Sequence, residues 1–188
     1  MGFLVLMLAP VCLALPARTL RYWIEPCSDS ASGCRASDAE LAHWAMAAWQ
    51  AASGGRLTLE SADRMEHAHI RLFWAKGQDG LYGETRPILV NGERGAEVFV
   101  LPTVVPPGET DRLMRDAIVY LTCLHETGHA LGLTHTADFA DIMYSFGYGG
   151  DIAEYFARYR RQLKSRADIH THDGLSEKDR RRIAELFR

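Results

Sequence analysis

The run HETGHALGLTH at residues 125–135 constrains this chain more than any other stretch, because its spacing requires a helix that stops abruptly and a chain that turns back. A helix advances about 100° per residue, so His125 and His129 stand on one face, one turn apart, with both imidazoles able to reach a single ion. Gly132 suits the left-handed conformation that closes a helix, and a turn there returns His135 beneath the same point. Three neutral imidazoles with a fourth position left open make the ligand set of a catalytic zinc. Glu126, next to the first ligand but outside the coordination sphere, is placed to take a proton from a water activated by the metal. A histidine met singly on an apolar helix, such as His43, is read as a core residue. Five identities at these offsets go beyond that explanation.

Met143, in the sequence DIMY, follows His135 by eight residues. With it the run resembles the metzincin zinc endopeptidases, most nearly the matrixin (matrix metalloproteinase) catalytic domain. The resemblance implies one catalytic Zn(2+) on His125, His129 and His135, Glu126 as general base, and Met143 in a Met-turn beneath the metal. LRYWIEP (20–26), AHIRLFW (68–74) and LSEKDRRRIAELF (175–187) are similar to the family's first strand, third strand and closing helix. The implied fold is α/β: a twisted, mostly parallel sheet with an antiparallel edge strand, and helices stacked on one face around an active-site helix. A protein or peptide substrate is expected to lie extended along the edge, assigned to Leu81–Pro87, with Leu81, Tyr82, Gly83 and Tyr144 as candidate contacts. The chain departs from the family in showing no cysteine-switch propeptide, no His and Asp run for a second zinc and no hemopexin-like extension. Latency by the family's mechanism and a second zinc are therefore not expected, and calcium is left open. Ser145 stands where matrixins usually carry proline after the Met-Tyr pair.

Function classes outside proteolysis also meet the motif. A zinc-stabilised binding module without turnover would have no use for Glu126, whereas a zinc hydrolase of another amide, such as a cell-wall crosslink, differs only in substrate. The 188 residues, 47% hydrophobic and 24% charged, suit one globular domain over 18–188 that is expected to be a monomer. A net charge of −3 gives no reason to expect nucleic acid. Residues 151–188 hold ten Lys and Arg against seven Asp and Glu, read as a solvated helical face.

Residues 2–17, GFLVLMLAPVCLALPA, form an apolar run too short to span a bilayer comfortably and end on small Ala17 before Arg18. They are read as a signal peptide of a secreted, extracellular or periplasmic protein, with a membrane anchor as the alternative if the segment is not cleaved. Cys12 lies inside this run without a lipoprotein context. Cys27 and Cys34 flank a polar loop and are plausible disulfide partners in an exported protein. Cys123, about 200° round the helix from His125, should face the core.

A first helix is expected from a capping box of Ser37 and Glu40, burying Leu41, Trp44, Ala45, Ala48 and Trp49. Strands are expected at about 20–25, 56–62, 68–74, 80–86 and 96–101, and the zinc helix from about Thr110 or Asp111 to Leu131, seated by Leu113, Ala117, Leu121 and Leu124. Ile152, Tyr155, Phe156, Tyr159 and Leu163 repeat at helical spacing and predict an added amphipathic helix at about 151–166. By resemblance that region borders the pocket for the residue after the scissile bond. His67 and His69 are placed on the solvent face of a strand, and His170, His172 and Asp173 are left unassigned.

Overall fold

The computed structural model describes residues 17–76, 82–103 and 108–188. Residues 1–16 of the expected signal peptide, and Leu81 among the candidate contacts, lie outside them. Five strands, β1 (Arg18–Ile24), β2 (Leu57–Ser61), β3 (Ile70–Trp74), β4 (Gly83–Val90) and β5 (Glu93–Val100), form one sheet in the order β2-β1-β3-β5-β4. Three neighbouring pairs are parallel; β4 alone runs antiparallel, against β5, and forms an edge. The helices are α1 (Asp38–Ala52), α2 (Arg112–Leu131), α3 (Ile152–Arg160), the single turn α4 (Asp168–Thr171) and α5 (Glu177–Leu186).

The sheet is two-sided because its strands alternate. Tyr22, Ile70 and Ala96 stand in register and are buried, as do Leu72 and Val98 one row on, then Trp74 and Val100. This face packs with the helices into one core. Trp49 of α1 is fully buried and its Nε1 donates to Leu124 O of α2 at 2.9 Å, which ties the two central helices. On the other face Phe73 stacks on Phe99 with centroids 5.3 Å apart, and the Arg86 guanidinium covers Phe99.

β4 and β5 are joined by Asn91 and Gly92, both at positive φ (52° and 83°), the two-residue turn whose twist matches a hairpin. That turn lets β5 begin at Glu93, ahead of the expected 96, and β4 run on to Val90. Pro87 is tolerated within β4, opposite Ala96, because an edge strand leaves alternate N–H groups unpaired. Tyr82 O accepts from Leu101 N at 2.9 Å, so the main-chain groups of the even-numbered residues turn toward β5, while those of Gly83, Thr85 and Pro87 turn to the open edge.

Two local expectations need correction. Ser37 sits in helical conformation (φ −76°, ψ −11°) and makes no side-chain cap. The buried Asp38 carboxylate instead accepts from Arg35 N at 2.8 Å and pairs with Arg115, while Glu40 is taken up by Arg166. The helix expected over 151–166 ends at Arg160. There the guanidinium bonds both Asp111 and Leu163 O, and the N–H groups of Lys164 and Ser165 are captured by Asp168, which starts the next turn. Leu163 is still buried, but from this turn rather than from a helix. Cys27 and Cys34 form a disulfide with Cα atoms 5.8 Å apart, and Cys123 is a buried free thiol. Among the described residues no helix is long and apolar enough to cross a membrane.

Candidate active site

α2 begins where the Asp111 carboxylate accepts from Leu113 N and ends at Gly132, whose φ of 115° is left-handed. Gly132 N donates to His129 O and Leu133 N to Gly128 O, both at 2.9 Å, so the chain folds back within one residue of the helix. This brings His135 to the two helical histidines. Its Nε2 lies 3.2 Å from Nε2 of His125 and 3.0 Å from Nε2 of His129. Nitrogens bound to one tetrahedral zinc at ordinary bond lengths would stand about 3.3 to 3.4 Å apart; these two separations are close to that, and all three donors lie within 4.8 Å of one another.

The other ring nitrogens fix the orientation. His125 Nδ1 faces Ile142 O at 2.7 Å and His129 Nδ1 faces Leu133 O at 2.9 Å. A carbonyl can only accept, so each Nδ1 carries the proton and each Nε2 offers its lone pair to the centre. Burial pushes His125 down to about 4, and burial also lowers His129 and His135, which keeps all three imidazoles neutral at ordinary pH. Among the described residues this trio is the one group of His, Cys, Asp and Glu side chains placed to hold a metal ion.

Met143 is fully buried beneath α2, in a turn knitted to the segment after the third histidine: Thr136 N donates to Met143 O at 2.8 Å, and Ser145 N to Thr136 O at 3.1 Å. α5 holds the turn from behind. Its capping box joins Ser176 and Asp179, Asp179 also accepts from Ile142 N at 2.8 Å, and Asp141 accepts from Ser176 Oγ at 2.7 Å while pairing with Lys178.

Glu126 is 7% exposed. Burial raises its carboxyl above the usual range, against the lowering effects of Thr85 and His129. Thr85 Oγ1 lies 2.6 Å from its Oε2 and 2.9 Å from its main-chain O. β4 passes directly over this side chain: a Cβ on Gly83 would come 2.7 Å from Glu126 Cγ and 2.9 Å from Thr122 Cγ2.

A cleft of about 720 Å³ runs between β4 and α2 over the three histidines. Tyr82, Gly83 and Tyr144 line it, as do Thr85, Phe146 and Ile152, which sequence reasoning did not single out as contacts. Thr85 fell within the expected edge, but nothing in its local pattern marks it as a partner of a residue 41 positions away. α3 closes one end. Tyr155 is buried among Phe139, Tyr144, Phe146 and Phe156 and donates to Asp141 O at 3.1 Å; Phe156 packs on Tyr82. The remaining histidines are engaged elsewhere. His67 lies in a short 3-10 turn and His69 just ahead of β3, neither on a strand; His69 Nδ1 accepts from Arg21 N, and His43 is exposed on α1 rather than in the core, with Nδ1 2.9 Å from Tyr22 Oη. His170 stacks on Trp44, His172 Nδ1 lies 3.1 Å from Asp168 O, and Asp173 pairs with Arg180.

The family model described as Matrixin matches residues 17–154, a span that includes the sheet, α1, α2, the third histidine and the Met143 turn. No curated protein matches the chain.

Proposed function

The chain belongs to the matrixin family of zinc metalloendopeptidases, and on that premise we propose that His125, His129 and His135 hold one catalytic zinc and that Glu126 is the general base of peptide hydrolysis. The observation that carries this is the convergence of three histidines whose donor atoms lie within 4.8 Å of one another, each helical ring oriented by a carbonyl behind it. Zinc, when bound, supplies Lewis acidity to the attacking water and the scissile carbonyl. The chain supplies the rest. A peptide strand added to the open edge of β4 is held by the main-chain groups of Gly83 and Thr85, with the scissile bond over the histidines. Glu126 takes the proton as the water oxygen bonds to the carbonyl carbon, and returns it to the amide nitrogen as the C–N bond breaks. Burial of Glu126, only 7% exposed, keeps bulk water from most of this side chain.

Tyr144, Phe146, Ile152, Tyr155 and Phe156 give the cleft an apolar wall beside His125, which suits an apolar or aromatic residue after the scissile bond. Export is supported by the apolar run at 2–17 and by the Cys27–Cys34 disulfide, a bond kept in oxidising compartments. The test is incubation of the purified chain with a diverse peptide mixture, with and without a chelator. Chelator-sensitive internal cleavage is expected; cleavage unaffected by complete metal removal, or none by the zinc-loaded chain, would overturn the proposal.

A further inference from the structure

We propose that Thr85 is a positioning residue for hydrolysis: its hydroxyl holds the Glu126 carboxylate under the edge strand, pinning Oε2 and leaving Oε1 to receive the proton. This rests on the assignment of Glu126 as general base.

Thr85 Oγ1 has one proton to give and two acceptors in reach, Glu126 Oε2 at 2.6 Å and Glu126 O at 2.9 Å. The charged acceptor is nearer, and hydrogen bonds to carboxylates are both shorter and stronger than neutral ones. Thr85 is β-branched, so its hydroxyl is stiffly presented once the backbone is fixed. The backbone is fixed by the β4–β5 ladder, where Thr85 pairs with Val98. Glu126, by contrast, is a long side chain whose carboxylate has three torsions to lose. Two residues earlier on the same side of β4, Gly83 leaves just enough room for the Glu126 stem, since a Cβ there would meet Cγ at 2.7 Å. Gly83 thus makes room for the stem while Thr85 holds the head.

The placement also couples the base to substrate. The main-chain N–H and C=O of Thr85 turn to the open edge, where a peptide strand would dock, while its side chain reaches Glu126. One residue therefore touches the substrate through its backbone and the base through its side chain. Docking that stiffens β4 stiffens the carboxylate, and misplacement of a catalytic group by about 1 Å can cost on the order of 10²-fold in rate.

The experiment compares the zinc-loaded full chain with Thr85→Val, Thr85→Ser, Glu126→Gln and the Thr85→Val/Glu126→Gln double variant, reading kcat, KM and bound zinc for one cleaved peptide. Thr85→Val is expected to lower kcat about 10- to 100-fold with KM within about threefold and zinc unchanged. Thr85→Ser, which keeps the hydroxyl, should stay within about threefold of wild type. In the Glu126→Gln background the Val substitution should add less than about twofold, because nothing is left to orient. Should Thr85→Val fail to fold, Thr85→Ala removes the same hydroxyl without adding bulk and is compared with Thr85→Ser. Wild-type kcat in the hydroxyl-free variant overturns the proposal, as does an equal loss in both Glu126 backgrounds. Wild-type kcat in Glu126→Gln would overturn the base assignment itself, a result distinct from either.

Discussion

The sulfur of Met143 occupies the space that a Cβ on Gly128 would take, and Trp49 Cζ2 would lie 3.0 Å from the same Cβ. The glycine inside the HETGH sequence is therefore a packing requirement between α2, α1 and the Met143 turn. Gly128→Ala gains up to about 1 kcal/mol in helix propensity. Overpacking this fully buried contact should cost about 1 to 3 kcal/mol and outweigh it. A lower Tm and weaker zinc retention are expected. An unchanged or raised Tm would show that Met143 repacks freely.

One zinc per chain is expected by metal analysis, and His129→Ala should release it under dialysis that leaves the wild type loaded. Bound metal favours the folded state, so a chelator should also lower Tm while leaving far-ultraviolet circular dichroism largely intact, since the sheet and α1–α2 core do not depend on the ion. Retention by His129→Ala equal to wild type would remove this residue from the site.

Glu126→Ala should keep both fold and zinc but lose about 10²- to 10⁴-fold in kcat/KM, the usual cost of deleting a positioned base. Activity within about threefold of wild type would reject the role.

Tyr155→Ala or Phe156→Ala should change which residue is accepted after the scissile bond more than zinc affinity, because both side chains form the cleft wall that α3 presses against the Met143 turn. Tyr155→Phe, which loses only the bonds to Asp141 O and Ile142 O, separates packing from anchoring. Thermal stability is measured beside the cleavage profile. Folded variants with an unchanged ranking of accepted residues would make α3 a packing element alone.

Replacing Cys27 and Cys34 by Ser should lower stability by roughly 2 to 3 kcal/mol through the reopened short loop. The disulfide lies apart from the cleft, so kcat on the folded fraction should not change.

What sequence could foretell follows from how local each determinant is. The three histidines, Gly132 and the turn back to His135 are set by spacings within eleven residues, and α2 begins and ends within a residue or two of expectation. A strand here is legible from its flanking glycines, though it runs over Gly83–Val90 rather than 80–86; that it is the edge comes from the resemblance. The N-terminus of α1 was not, because Ser37 satisfies the local capping pattern while Asp38 is claimed by Arg115, 77 residues on. The end of α3 likewise depends on Arg160 meeting Asp111 across the fold, whereas the apolar periodicity continues to Leu163. Thr85 was invisible for the same reason: its partner lies on a different element, and threonine in a strand is unremarkable by composition.

Pro87 gives the open edge of β4 an end that the strand itself does not have. Gly83 and Thr85 present N–H groups outward, but the next outward position is Pro87, which has none to give. A peptide docked there would find two donors spaced about 7 Å apart and then a gap. A substrate strand docked there as proposed would meet this missing donor in the middle of its ladder. The same interruption meets a second molecule that offers its own edge. A strand left open at the edge of its sheet is, by this single ring, a poor template for polymerisation.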